Sequence, residues 1–262
     1  KPKNLIAVTG TNGKSSVADF YYQILKLNNK KVASIGTLGI KSKKFKKDLS
    51  NTTIDPIQLS KILSSLKKQN VNNVIMEASS HGLSQNRLDG LSFNTGIFTN
   101  LSQDHLDYHK NINNYLKAKL YLFEKLIKKN GNIITDKKIP EFKKIKNITS
   151  NKDLNLFSLF DKKNNFQVLS HQYEDEFQLI EIRYNNLIHK IKLNLIGRVQ
   201  LKNVLMAVIA SIKSNVKIKD ILNVIPKIKT VEGRFDRVGR IKNNSKVILD
   251  YAHTPDALKT CL

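Results

Sequence analysis

"VTGTNGKSSV", Val8 to Val17, decides how this chain is read. The usual phosphate-binding loop is spaced G-x-x-x-x-G-K-[ST]. Here Val8 stands five positions before Gly13, and the nearest upstream glycine is Gly10. The flanking sequence still has the right order. "NLIAVTG" is a short apolar run closed by glycine, and "KSSVADFYYQILKLNN" carries apolar residues at helical spacing, which predicts strand, tight loop and helix. In that context Gly10 and Gly13 let successive N–H groups turn toward an oxyanion, and the helix N-terminus adds its positive dipole end. Lys14 would reach the terminal phosphates as a point charge, and Ser15 or Ser16 would supply the hydroxyl that usually holds magnesium. An ordinary glycine turn is the competing reading, and it leaves G-K-S-S unexplained.

Working outward, "KKVASIGT", "NNVIMEAS", "FNTGIFTNL" and "GNIITD" read as further strands. "DPIQLSKILSSLKKQN", opened by Asp55 and Pro56, and "NINNYLKAKLYLFEKLIKK" read as the helices between them. Strands alternating with helices predict an α/β fold with a doubly wound, mostly parallel sheet. The texture changes near Lys143. From there to about Leu195, "NFQVLSH", "FQLIEIRYN" and "LIHKIKLNLI" predict a small antiparallel meander. "NVLMAVIASIKSN" returns to helix, and "DRVGRIKNNSKVILDYAH" predicts a hairpin turning at "KNNS", the start of a new unit.

The 262 residues, 40% apolar, suffice for a full core in one large domain or two. A formal charge of +24 first points to polyanions, but it is built from 39 Lys and only 6 Arg, beside 29 Asn and 29 Ile. Base readers lean on Arg forks, so a solvated Lys-rich surface is favoured over specific nucleic-acid binding. Such a field still suits an anionic small substrate. The single cysteine, Cys261, excludes an internal disulfide framework and a Cys-based metal site; it reads as a buried or incidental thiol. No stretch approaches the roughly 20 apolar residues of a membrane span, and the N-terminus leads straight into a strand, so a cytoplasmic chain with no membrane partner is expected. Both ends look abrupt.

Glu77 closes the "NNVIMEAS" strand. In a parallel sheet the carboxyl edge faces the ligand crevice, so a carboxylate there could hold a metal that bridges nucleotide phosphates. A solvated strand-end Glu is the plain alternative. "NLSQDHLDYH", Asn100 to His109, packs two His and two Asp into six positions. It could be a hydrolytic zinc site, a polar loop, or a magnesium and substrate site.

"TGTNGKSS" resembles the compressed loop of the Mur ligase superfamily, ATP-dependent amide-forming enzymes, and of their folylpolyglutamate synthetase relatives. "NTTIDP", "MEASSHGLSQNRLDG", "FTNLSQDHLDYHKNINNYLKAKLYLF", "VEGRFDRVG" and "LDYAHTPDAL" narrow it, in order along the chain, to the family's UDP-N-acetylmuramoyl-dipeptide:amino-acid ligases. Folylpolyglutamate synthetase shares the loop without these blocks. The resemblance implies ATP on Gly10, Thr11, Asn12, Gly13, Lys14, Ser15 and Ser16, and Mg2+ at Ser15, Glu77, His105 and Lys119. It implies that Lys14, Glu77, His105 and Lys119 serve catalysis, Lys119 as a carbamylated lysine. Asn51, Thr52, Thr53, Ser79, Gln85 and Arg87 match positions that hold the UDP-muramoyl dipeptide. Asn203, Arg234, Asp250 and His253 match positions around the nucleotide. His171 and His189 match nothing and are expected at the surface. Where the family often has Asn-x-x-Asn near adenine, Gln200 and Asn203 stand here. The implied organisation is a central ATP-binding domain over 1–232 and the beginning of a C-terminal domain over 233–262, with the UDP-gripping N-terminal domain and most of the C-terminal domain not in this chain. The implied reaction joins meso-diaminopimelate or lysine to the UDP-muramoyl dipeptide. A nucleotide-binding fragment without ligase activity, a folylpolyglutamate synthetase-like ligase and a metal hydrolase stand as alternatives.

Overall fold

Leu5 and Ala7 point to one side of the first strand, Ile6 and Val8 to the other, and all four are buried. A strand apolar on both faces must be covered on both, which is the condition for an internal strand of a doubly wound sheet. The structure, a computed structural model, describes residues 1–43, 46–161, 166–174 and 176–261. Asn165, where the expected meander opens, and Leu262 lie outside the described residues.

In chain order, β1 (Asn4–Thr9) leads through the phosphate loop to α1 (Lys14–Leu27), then β2 (Val32–Gly36), β3 (Gly39–Ser42), β4 (Lys46–Lys47) and α2 (Pro56–Lys68). β5 (Asn73–Glu77), the short α3 (Ser80–Ser84), β6 (Phe93–Phe98), α4 (Leu106–His109) and α5 (Ile112–Tyr121) follow. A π-helical turn, Leu122–Leu126, runs from α5 into β7 (Ile127–Asp136). Then come α6 (Phe142–Asn151), β8 (Asn155–Leu159), β9 (Phe166–Tyr173), β10 (Gln178–Tyr184), β11 (Leu187–Leu193), α7 (Arg198–Lys213) and α8 (Ile218–Val224). The described chain closes with β12 (Asp236–Arg240), β13 (Lys246–Leu249) and α9 (Pro255–Cys261).

The main sheet has eight strands in the order β4-β3-β2-β5-β1-β6-β7-β8. Pairing is parallel from β2 through β8, and β3 and β4 form an antiparallel edge. α1 and α7 cover one face, packing with Ile6, Val8, Ile75, Ile97 and Ile134. α2 and α5 cover the other, with Leu5, Ala7, Val74, Met76 and Phe98. Asp55 caps α2 by accepting the Gln58 N–H at 2.8 Å, with Pro56 in the first turn, as the sequence predicts.

The expected meander is the three-stranded antiparallel sheet β9, β10 and β11, and the expected hairpin is β12 with β13. The change of texture placed near Lys143 begins later. α6 and β8 continue the parallel sheet before the meander starts, because β8 pairs in register with β7 from Asn132↔Asn155 to Asp136↔Leu159. His171 and His189 are half-buried rather than at the surface, and His171 shares a 2.8 Å hydrogen bond with Gln178. Cys261 is half-buried and its thiol donates to Asp250 at 3.4 Å. No helix among the described residues is long and apolar enough to cross a membrane.

Candidate active site

β1 lies between β5 and β6, so the carboxyl ends of three parallel strands and the loops leaving them meet at one point. That is where an open α/β sheet makes its ligand crevice. The phosphate loop leaves β1 there, with Gly10 at φ 144° and Gly13 left-handed at φ 86° as the N-cap of α1. A Cβ on Gly10 would collide with the Thr99 hydroxyl.

The loop is laced to the exit of β6. Thr11 donates its N–H to the Asn100 carbonyl at 3.0 Å, and the Asn12 N–H goes to the Asn100 side chain at 2.9 Å. The Asn12 carbonyl accepts from Thr99 at 2.6 Å and from Asn100 at 3.2 Å. These bonds occupy the N–H groups of Thr11 and Asn12 and so hold the loop rigid without any ligand, which fixes in place the donors that follow at the start of α1. Asn203, 5% exposed on α7, lies directly against Gly13.

Lys14 folds over the loop and donates to the carbonyls of Gly10 at 3.0 Å and Thr11 at 2.8 Å. Lys119, 1% exposed on α5, donates to the same Gly10 carbonyl at 2.8 Å, with its Nζ 4.2 Å from the Tyr115 ring centre. Burial pushes the Lys14 pKa down, against the pull of Glu77 and Asp104. Burial, with the neighbouring charge of Lys14, pushes Lys119 well below the usual lysine range. Both amines are thereby biased toward the neutral form.

Glu77 is 2% exposed, and burial raises its pKa against the opposing influence of Lys14, Thr37 and Ser15. Ser15 donates its hydroxyl to Glu77 Oε2 at 3.1 Å, while Thr37 donates its N–H to Oε1 at 2.9 Å and its hydroxyl to Oε2 at 3.2 Å. One serine hydroxyl, one threonine hydroxyl and one carboxylate form a hard-oxygen donor set suited to Mg2+. Ser16 is buried in the first turn of α1. Among the described residues no group of three His, Cys, Asp or Glu is arranged to hold a metal, so the zinc-hydrolase reading of Asn100 to His109 has no cluster behind it.

The residues matched to the UDP-muramoyl dipeptide line up beside Glu77. Thr52 shares a 3.0 Å hydroxyl contact with Thr37, and Thr53 donates to the Glu77 carbonyl at 2.9 Å. Arg87 donates to the Thr53 carbonyl at 2.7 Å, and Gln85 to the Tyr108 hydroxyl at 3.3 Å. Ser79 caps α3, accepting the Gly82 N–H at 3.1 Å. Asn51 stands apart, exposed, with its amide 3.5 Å from Ser50. His105, with left-handed backbone at φ 53°, sets its ring 4.8 Å from His81 and 3.5 Å from the Asp104 carboxylate.

The hairpin residues form their own group. Asp250 accepts the Phe235 N–H at 2.6 Å, Arg234 stacks over Tyr251 at 4.5 Å, and His253 approaches the Tyr251 carbonyl at 2.9 Å. Arg234 is the member close enough for its charge to act on Lys14. Gln200 donates to the Arg234 carbonyl and leaves its own Oε1 buried without a partner. Thr37, Thr99 and Tyr115 belong to the site although the sequence does not single them out. The crevice rule applied to the end of β2, as to β5, leads to Thr37.

The Mur ligase middle domain family model matches residues 8–211, from near the end of β1 into the last turn of α7. This chain belongs to the Mur ligase middle domain family. Among curated proteins, the UDP-N-acetylmuramoyl-L-alanyl-D-glutamate-2,6-diaminopimelate ligase of Rickettsia montanensis is 38% identical over 100% of this chain and 54% of its own length. The protein of the same name from Zymomonas mobilis is 36% identical, with the same coverage. A solved structure of a ligase so named superposes with a TM-score of 0.84 at 26% identity, over 99% of this chain and 54% of that one. A Mur ligase middle domain fold is also shared with a Thermotoga maritima ligase solved with ADP, TM-score 0.72 at 18% identity over 99% of this chain and 56% of that one. The chain spans about half the length of the curated relatives it matches.

Proposed function

We propose that this chain is the nucleotide-binding core of an ATP-dependent ligase that adds a third amino acid, 2,6-diaminopimelate or lysine, to UDP-MurNAc-L-Ala-D-Glu. The observation that supports it best is the meeting of two lysines, Lys14 and Lys119, at the Gly10 carbonyl beside the Ser15–Glu77 pair, at the carboxyl edge of a parallel sheet. The names of the 36–38% identical relatives favour diaminopimelate.

In this reading residues 1–232 are the ATP-binding domain and 233–262 open a C-terminal domain, in a cytoplasmic protein. The N–H groups from Gly13 to Ser16, at the start of α1, bind the phosphates of ATP, and Lys14 leaves its two carbonyl partners to meet the terminal phosphate. Mg2+, held by Ser15 and Glu77 with His105 and a carbamylated Lys119, would supply charge neutralisation at the phosphates. Carbamylation turns a buried amine, already biased to its neutral nucleophilic form, into an anionic oxygen ligand. Thr52, Thr53, Ser79, Gln85 and Arg87 orient the muramoyl dipeptide, Arg87 by a planar fork suited to a carboxylate.

A D-glutamate carboxylate oxygen attacks the γ-phosphorus and ADP leaves. The amine of the incoming amino acid then attacks the acyl carbon, losing a proton, and inorganic phosphate leaves as the amide forms. Little covalent work falls to the protein, which positions the reactants and stabilises charge. Asn203, Arg234, Asp250 and His253 flank the nucleotide from α7 and the hairpin.

The test is release of ADP and phosphate with amide formation by the purified chain supplied with ATP, Mg2+, the UDP-muramoyl dipeptide and each amino acid. Turnover supports the ligase. Magnesium-dependent ATP binding without turnover supports the second reading, a nucleotide-binding core that does not ligate by itself. No ATP binding overturns both.

A further inference from the structure

Asp19 and Gln23 stand one turn apart on α1, the helix that begins at the phosphate loop. Asp19 is 5% exposed, and a buried carboxylate is costly unless it is paired. One of its oxygens accepts from Lys41 of β3 at 2.7 Å, the other from the Gln23 amide at 2.6 Å. An ionised carboxylate only accepts, so the Gln23 NH2 must face Asp19 and the amide is left with one orientation. In that orientation it meets the backbone of Lys229 twice. The NH2 donates to the Lys229 carbonyl at 2.9 Å, and Oε1 accepts the Lys229 N–H at 2.9 Å. The side chain thereby pairs with Lys229 as a residue of an antiparallel strand would, exchanging both bonds.

Lys229 opens the segment that leads from α8 to β12, and a second glutamine holds the other end of that segment. Gln200 on α7 donates to the Arg234 carbonyl, and Gly197, just before α7, lies so close to the Phe235 ring that a Cβ would run into it. Between the two anchors the Arg234 N–H closes a turn onto the Val231 carbonyl at 2.9 Å, with Gly233 left-handed at φ 69°. The turn is therefore slung between α1, which carries Lys14 and Ser15, and α7, which carries Asn203. There the Arg234 guanidinium stacks on Tyr251, and its charge acts on Lys14. Released at Lys229, the same segment would regain backbone freedom, and Arg234 would be spread over more positions.

We propose that Gln23 is a positioning residue for the nucleotide site: by fixing the backbone of Lys229 it holds Arg234 in place beside Lys14, an inference that rests on the nucleotide-binding part of the ligase reading. Gln23 touches no reacting atom in this role and acts through the chain from Lys229 to Arg234. Asp19, neutralised by Lys41, is what keeps its amide turned the right way.

The experiment is a double-mutant cycle read by calorimetry, with a non-hydrolysable ATP analogue and Mg2+ titrated into the parent chain, Gln23→Ala, Arg234→Ala and the two combined. Gln23→Ala is expected to weaken the analogue about 2- to 12-fold in the parent, the worth of one ordinary hydrogen bond. It is expected to add nothing once Arg234 is alanine, because its effect runs through that side chain. Hydrogen exchange of the empty chain is expected to quicken at the Lys229 amide in Gln23→Ala, where the acceptor is gone. Equal losses with and without Arg234 would mean a general loosening and would overturn the positioning role. An affinity that either single variant leaves unchanged, or an unchanged exchange rate at Lys229, would overturn it too. Lys14-dependent binding of the analogue that ignores Gln23 sinks this inference and keeps the ligase reading. A chain in which no binding depends on Lys14 sinks that reading, and this inference with it.

Discussion

Lys14 and Lys119 share one acceptor: both amines donate to the Gly10 carbonyl, at 3.0 and 2.8 Å, although they lie on different helices on opposite faces of the sheet. Two amines within reach of each other repel when both are charged, and desolvation depresses both pKa values, most for the buried Lys119. Their proximity is unfavourable for the empty chain and useful for one that receives phosphate oxygens, which is the usual sign of a site shaped for its ligand.

Lys14→Ala is expected to weaken magnesium-ATP binding by about 10- to 150-fold, the worth of one hydrogen bond to a charged group. The fold should survive, because the hydrogen bonds of Lys14 among the described residues go to carbonyls of the loop itself. Calorimetry reads the first effect and circular dichroism the second. Unchanged nucleotide affinity would remove Lys14 from the phosphate site.

Ser15 and Ser16 both qualify from the sequence as the magnesium hydroxyl, and the geometry separates them. Ser15 bonds to Glu77. Ser15→Ala is therefore expected to raise the Mg2+ concentration needed for half-maximal ATP binding, by about tenfold if one ligand bond is lost. Ser16→Ala should shift it much less. A magnesium titration of both variants decides between them, and the reverse ranking would transfer the role to Ser16.

The phosphate loop and Glu77 are legible in the sequence because each depends on local demands: glycines where the backbone must curl, and a carboxylate at the end of a buried strand. Thr37 is not, since its bonds to Glu77 exist only because β2 pairs with β5, with Ile35 opposite Met76, across forty residues of sequence. Ser79 matches a substrate position but also caps α3, a structural duty that its neighbours alone do not reveal. α6 escapes for another reason. "FKKIKNITSN" keeps its apolar residues at helical spacing, but lysines and asparagines leave it poor in apolar surface and only Ile145 and Thr149 are buried, so it reads as a polar stretch although its periodicity is clear. With α6 obscured, β8 falls inside the stretch given over to the meander and is not singled out as the last strand of the parallel sheet.

Lys119 links chemistry to stability with a definite sign. Its folded pKa lies below the free value of 10.5, so stability is lost as pH falls through the folded pKa, where the folded chain must accept a buried charge, and is fully present above 10.5. Lys119→Met removes that titration. The variant is expected to melt higher than the parent in the lower part of the range, with the gap closing as pH rises toward 10.5. Melting curves across pH check this, and a gap that widens with pH would mean the amine is not held neutral. Lys119→Ala should impair turnover more than ATP binding, with partial recovery on adding a short carboxylic acid; normal turnover would reject its support of the metal.

Gly36 makes the sharpest test of how firmly Glu77 is fixed. It ends β2 beside the Glu77 side chain, and a Cβ there would run into the carboxyl group itself. Its φ is not in the left-handed region, so alanine meets no backbone penalty and the substitution isolates the packing conflict. The carboxyl can yield only by giving up bonds from Thr37 at 2.9 and 3.2 Å and from Ser15 at 3.1 Å. Gly36→Ala is therefore expected to cost about 1–3 kcal/mol of stability, the usual penalty for overpacking. It should also weaken magnesium-dependent ATP binding, because the displaced carboxylate no longer faces Ser15. Denaturant unfolding and calorimetry measure the two effects separately. Lost stability with unchanged nucleotide affinity would show that Glu77 is packed by Gly36 yet takes no part in holding the metal, whereas both falling together supports the carboxylate as a fixed member of the nucleotide site.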